Sequence, residues 1–241
     1  MKNLSISVVF ILFFGTGCIS ISINSKPGEK GNGSVTIEQR SISSFDKIDF
    51  DGVSNIFLLQ SDIEKVEVEI DDNLQKHIHV YNNGHTLVIK FADVHLEKTT
   101  KNNIYISYKE MNQLAANGVG NVKTQNILNS EHFKLNVTGV GNVDLELNCN
   151  TLDADFDGVG NINLRGKTDH FYVKKDGVGS LNAKGLIAEF VDIHNSGVGS
   201  ASVYANEELK LKNSGVGSIS YSGDANIKSI NSDGVGRIKK D

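Results

Sequence analysis

Residues 136–147 read Asn136-Val137-Thr138-Gly139-Val140-Gly141-Asn142-Val143-Asp144-Leu145-Glu146-Leu147. On either side of the glycines apolar and polar residues alternate, the period-two pattern of a strand with one buried face. Across Val137, Val140 and Val143 the apolar spacing lengthens from two to three. The phase breaks at the glycines, so the chain turns there. Glycine supplies the positive φ and the close backbone approach that a tight corner needs.

The tripeptide recurs. Gly-Val-Gly starts at Gly118, Gly139, Gly158, Gly177, Gly197, Gly215 and Gly234, at intervals of 21, 19, 19, 20, 18 and 19 residues. A degenerate copy, Gly-Val-Ser, starts at Gly52. Four residues before the first glycine stand Ile48, Leu114, Leu135, Ala154, Val173, Ile193, Leu211 and Ile230. Four residues after it the chain is again apolar in every copy, from Ile56 to Ile238. The central residue is always valine: Val53, Val119, Val140, Val159, Val178, Val198, Val216 and Val235.

A unit of about 19 residues cannot bury an apolar face alone, whereas units stacked in register bury a continuous core. The expected fold is all-β: a right-handed parallel β-helix, or β-solenoid, with coils about 4.8 Å apart. The seven first glycines form its corners, and all three apolar columns, valines included, stack inside. Asn55, Asn121, Asn142 and Asn161 follow the corners in successive copies. Stacked asparagines form hydrogen-bonded ladders.

Gly52 and Gly118 are 66 residues apart. The insert alternates as strands at Val66–Ile70, His77–Tyr81, Leu87–Phe91 and Ile104–Tyr108, with a hairpin signal at Asn82-Asn83-Gly84. Residues 72–76 suit a short helical turn. Residues 41–117 are therefore expected to form a less regular β-rich part that begins and caps the stack, and residues 118–241 its regular repeats.

The N-terminus has a different character. Lys2 precedes an apolar run from Leu4 to Phe14, then Gly15-Thr16-Gly17-Cys18. This reads as a secretory signal over residues 1–17. The run is too short to span a bilayer, which needs about 20 apolar residues. Cys18 directly after small residues resembles a bacterial lipobox, although Gly15 stands where leucine is usual. The resemblance implies cleavage before Cys18 and its acylation, giving an exported cell-envelope protein held at a membrane, the outer membrane by preference. Ser25 to Ser34 has linker composition, and residues 18–40 are expected to form the lipid-anchored tether.

Ser44 to Ile56, Ser-Phe-Asp-Lys-Ile-Asp-Phe-Asp-Gly-Val-Ser-Asn-Ile, together with the Asn/Asp-Gly-Val-Gly-Asn/Ser repeats, resembles the head GIN domain family, labelled auto-transporter adhesins. The resemblance covers residues 40–241. It implies a right-handed β-helix on an exported, often lipid-anchored protein, and it brings no catalytic residues. The Gly-Val-Ser of residues 52–54 departs from the pattern and leaves the first corner in question.

Chemistry is sparse. A phosphate-binding glycine loop needs a following helix, and here strands follow. The net charge of −5 carries no basic footprint for nucleic acid. Among seven histidines, His77 and His79 share a strand face in this reading but lack further ligands at metal-binding spacing. His132 and His170 are equivalent positions two coils apart, with Thr151 between. A calcium ladder would need more acids at the turns than Asp51, Asp157, Asp176 and Asp233. Cys149 is an unpaired thiol near a strand end.

Outward residues in successive copies, Lys134, Asp153, Tyr172, Asp192 and Lys210, then Asn136, Asp155, Lys174, His194 and Lys212, read as a solvated face. No catalytic, cofactor or metal site is expected. The sequence points to a non-catalytic binding, adhesion or structural module. Its partner would be a membrane through Cys18, with a glycan, a surface protein or another copy of itself as ligand. Two alternatives stand beside it. One is a polysaccharide-active β-helix enzyme using Asp153 and Asp155, since glycoside cleavage uses carboxylate pairs. The other is a periplasm-facing envelope-assembly or stress component.

Overall fold

The computed structural model describes residues 28–92 and 96–241. The expected signal sequence, Cys18 and the expected tether up to residue 27 lie outside the described residues. The first part of the chain forms β1 (Glu29–Lys30), β2 (Val35–Arg40), β3 (Lys47–Asp51), β4 (Asn55–Gln60), β5 (Lys65–Asp71), a short 3-10 turn (Asp72–His77), β6 (Ile78–Asn83), β7 (Thr86–Phe91), β8 (Leu96–Lys98) and β9 (Asn102–Tyr108). Then come β10 (Gln113–Ala116), β11 (Val122–Thr124), β12 (Leu128–Val137), β13 (Val143–Phe156), β14 (Ile162–Lys175), β15 (Leu181–Asn195), β16 (Ala201–Asn213), β17 (Ile219–Ser222), β18 (Asn226–Ser232) and β19 (Ile238–Lys240).

The architecture is a β-solenoid. Each coil pairs in parallel with the next, and the repeat columns set the register: Leu135 lies beside Ala154, Ala154 beside Val173, and Val143 beside Ile162. The long strands serve two sheets. Along β13 the buried residues run Val143, Leu145, Leu147 and Cys149, then slip by three to Leu152, Ala154 and Phe156. Asn150 drops out of the pairing at that slip. The chain therefore turns twice per coil, once at the glycines and once near Asn150. We call the strand segments after the glycine corner sheet A and those before it sheet B. Their inward side chains meet in one continuous core that includes Leu145, Leu152, Leu164 and Phe171, each no more than 1% exposed.

The valine column does not join that core. The seven valines from Val53 to Val216 are 47–50% exposed, and Val235 more so. The expectation of valine stacked inside is corrected. The spacing of three sends the residues on both sides of the corner inward and leaves the middle one facing out. Its backbone, not its side chain, joins the coils. Val159 donates its N–H to the Gly139 carbonyl at 2.9 Å and accepts from the Gly141 N–H at 2.9 Å. The same bridge links all eight valines in line.

The asparagines do form a ladder. The Oδ1 of Asn55 accepts from the backbone N–H of Asn121 at 3.2 Å, that of Asn121 from Asn142 at 3.1 Å, and that of Asn142 from Asn161 at 3.0 Å. A backbone group at the turn, where strand pairing lapses, thereby finds a partner in the coil before it.

The Gly-Val-Ser copy is a regular corner. Val53 bridges Val119, Ile48 lies beside Leu114, and Ile56 beside Val122. Serine is tolerated because no glycine corner lies beneath it; the Ser54 hydroxyl instead meets the Asn102 side chain. After β4 the chain runs to the outer side of this first coil. There β7 pairs with β3 and β9 with β4, before β10 returns to the opposite side. The β6–β7 hairpin turns at Gly84, where φ is +57°. Antiparallel β6 covers β7, and antiparallel β5 covers β9. The parallel stack thus ends in paired strands rather than in a bare edge.

The tether expected through residue 40 ends earlier. β1 pairs with β8, and β2 pairs antiparallel with β5. The outer edge of β5 offers unpaired backbone groups, and residues 35–40 satisfy them.

Core positions two residues before the corner change character along the stack. Phe50, Ala116, Val137 and Phe156 give way to Lys175, Asn195 and Asn213, all at most 6% exposed. The Lys175 ammonium donates to the Val198 carbonyl at 3.2 Å. That carbonyl already accepts from the Gly179 N–H. Burial pushes the Lys175 pKa below the ordinary lysine value, against the pull of Asp176. Replacing Lys175 with Met should therefore stabilise the protein by about 1–3 kcal/mol, because it removes a buried charge and strands no backbone group. Thermal unfolding of Lys175→Met checks this. A folded pKa below the unfolded one also means wild-type stability rises with pH toward the ordinary lysine pKa, about 10.4, and the variant should lack that rise.

Candidate binding face

The outer surface of sheet B holds an open groove of about 840 Å³. Strand pairing lays out its floor. Lys134, Asp153, Tyr172 and Asp192 occupy one row across β12, β13, β14 and β15. Ala115, Asn136, Asp155 and Lys174 occupy the next row, from β10 to β14. Side chains two apart on a strand share a face, so Asp153, Asp155 and Asp157 all point into the groove. Among the described residues, none of these three, nor Asp192, makes a hydrogen bond or a close ion pair. Lys174 is engaged by Asp176, and that contact, with the nearby charges of Asp155 and Asp157, holds its pKa above the usual lysine value.

An aromatic stack borders the groove. His170 and Phe190 are strand neighbours with rings 4.7 Å apart and 16° from parallel. His170 and Tyr172, two apart on β14, have rings 6.0 Å apart and 1° from parallel. Tyr172 and Phe190, the ends of this stack, are exposed at 44% and 39%. The sequence showed Tyr172 in an outward row but not the stacking of His170 on Phe190 beside it. Copies differ in length between corners, so the pairing of 170 with 190 follows only from the register.

The other expected residues are dispersed. Asp144 accepts an ion pair from Arg165 at 2.8 Å on the outer surface of sheet A. His132, Thr151 and His170 are successive strand neighbours, as the repeat implied. His77 and His79 do not share a strand face: His77 ends the 3-10 turn and meets Glu29 at 2.5 Å. The turn claims His77 because the chain must change direction between β5 and β6. Among the described residues no three His, Cys, Asp or Glu side chains are grouped to hold a metal. Cys149 is free and buried, and burial raises its pKa, so the thiolate is disfavoured.

The first glycines line the inside of the corners at very short range. A Cβ on Gly158 would lie 2.2 Å from the Gly139 carbonyl oxygen, and one on Gly177 would lie 2.1 Å from that of Gly158. The second glycine of each tripeptide is as tight and also has positive φ, for example +150° at Gly160.

A family model described as "Putative auto-transporter adhesin, head GIN domain" matches residues 44–225. No curated protein matches the chain. Among solved structures, a "putative adhesin" from Bacteroides fragilis is 30% identical, with a TM-score of 0.85 over 89% of this chain and 100% of that one. A "putative adhesin" and a "putative lipid binding protein", both from Parabacteroides distasonis, share the fold at 24% identity. Their TM-scores are 0.72 and 0.73, again over 89% of this chain and 100% of theirs. With three quarters of its length matched, the chain belongs to the head GIN domain family.

Proposed function

We propose that the protein is an exported, non-catalytic binding module of the cell envelope, acylated at Cys18 and tethered to the outer membrane. The observation that carries this is the order of Lys2, the Leu4–Phe14 apolar run and Gly15-Thr16-Gly17-Cys18, directly ahead of a solenoid. The naming of relatives as adhesins and binding proteins supports the binding role. The shape supports it too. Nine stacked levels about 4.8 Å apart make a rod of ~40 Å. Its N-terminal cap lies nearest the tether, so the repeats stand away from the bilayer.

The test is labelling with a fatty-acid analogue in cells. Wild type is expected in the membrane fraction carrying label, and Cys18→Ser is expected to lose both. An unlabelled, cytoplasmic wild type would sink the reading. Protease shaving of intact cells then separates a surface-exposed adhesin from a periplasm-facing component.

A further inference from the structure

We propose that the sheet B groove is a glycan-binding site, and that it takes a strand of neutral or amino sugars stacked against Tyr172. This rests on the binding-module reading above and names its ligand class. Three independent features converge. The first is shape: the groove runs across five strands, about 19 Å at the usual strand spacing, which suits an extended oligosaccharide rather than a single ring. Its 840 Å³ also falls within the range of ligand sites.

The second feature is the exposed aromatic. A pyranose has an apolar C–H face and a rim of hydroxyls. An exposed ring on a rigid sheet offers such a face a flat, low-entropy contact. Tyr172 is held by its stack on His170, so little side-chain freedom remains to be lost on binding.

The third feature is what surrounds the ring. Tyr172 stands between Asp153 and Asp192 in the strand register. An ionised carboxylate offers only acceptors, so its natural partners are hydroxyl or ammonium donors. Asp155, two residues further along β13, and Asp157 at the corner after it add acceptors across the width of the groove. Asp153, Asp155, Asp157 and Asp192 outnumber Lys134 and Lys174 in the groove; Lys174 is shared with Asp176, and Lys210 beside Asp192 is shared with Glu208, so the field is negative. Uronates, phosphorylated sugars and nucleic acid are repelled, and neutral or amino sugars are accepted.

The experiment uses the full chain in mild detergent on an array of neutral, amino and uronate oligosaccharides, with a lysine-rich peptide beside them. Products are analysed for every hit. Saturable binding of a neutral or amino oligosaccharide without cleavage is expected. Tyr172→Ala should weaken it about tenfold, the scale of one lost ring contact with its buried area. Asp153→Asn and Asp192→Asn should weaken it as well. Phe57→Ala, in the stack with Tyr105 on the other sheet, should leave affinity unchanged. All these side chains lie on outer faces, and unchanged thermal unfolding confirms that the variants are folded.

Equal binding of uronates, affinity indifferent to Tyr172→Ala, or binding of the peptide alone would overturn the proposal. Capture of a matrix protein with no glycan bound would overturn it while leaving the binding-module reading intact. A cleaved product would overturn both, and would point to Asp153 and Asp155 as the acids responsible.

Discussion

Gly160→Ala is expected to destabilise the stack by about 4 kcal/mol or more, whereas Val159→Thr beside it changes stability by no more than about 0.5 kcal/mol. The new Cβ would stand 1.8 Å from the Gly141 carbonyl oxygen and 2.6 Å from its carbon. Those atoms are backbone, fixed by the coil beneath, and no rotamer change relieves the overlap. The φ of +150° adds strain of its own for any residue with a side chain. Relief requires the two coils to separate at the corner, which breaks the bridges from Val159 to Gly139 and from Gly141 to Val159. Val159 is half exposed, and threonine keeps its shape and its strand preference. Urea unfolding gives the two magnitudes. Hydrogen exchange should place the damage in the coils on either side of Gly160, because each coil of a solenoid contacts only its neighbours. A large loss from Val159→Thr would show that the valine ladder carries stability after all.

Asp71→Ala should cost about 3–5 kcal/mol and loosen the N-terminal cap. Asp71 is fully buried. Its carboxylate accepts from the Gly33 N–H at 2.7 Å, the Thr100 N–H at 2.8 Å and the Thr100 hydroxyl at 2.8 Å. It ties the chain ahead of β2 to the chain ahead of β9. Gly31 has no Cβ, which lets the backbone pass: one there would lie 2.4 Å from the carboxylate. Alanine removes three charge-assisted hydrogen bonds at once.

The pH dependence gives a second readout. Burial alone would raise the Asp71 pKa, but the hydrogen bonds from Thr100 and Gly33 outweigh it and hold the carboxyl below the ordinary aspartate range. A depressed folded pKa means the stabilisation is complete above the unfolded pKa, about 3.9, and is lost as pH falls through the folded value. The stability gap between wild type and Asp71→Asn should therefore be widest above about pH 4 and narrow below it. A gap that stays constant through that range would exclude an ionised Asp71 as the tie.

The repeat sequence determined the solenoid because identical units can bury an apolar face only by stacking in register. The columns headed by Ile48 and Ile56 marked the core, strand alternation and the Asn82-Asn83-Gly84 signal marked the 66-residue insert as less regular β-structure, and Asn55 to Asn161 marked the ladder. Hydrophobicity and period alone misplaced the valines. A β-branched residue at a fixed register looks like core, and only the geometry of a tight corner decides that the middle residue of three points outward. The extent of β2 was hidden for a related reason. Residues 35–40 are ordered by the exposed edge of β5, a partner about 30 residues away that linker composition cannot reveal. The same limit applied to the groove. Its acids were visible as an alternating solvated row, and Tyr172 with them, but the stack of Tyr172, His170 and Phe190 depends on which coil lies beside which. Sequence carries local periodicity, and periodicity fixed the fold. Which side chains meet across coils depends on lengths between corners that vary by a residue or two, and only the assembled tertiary structure settled them.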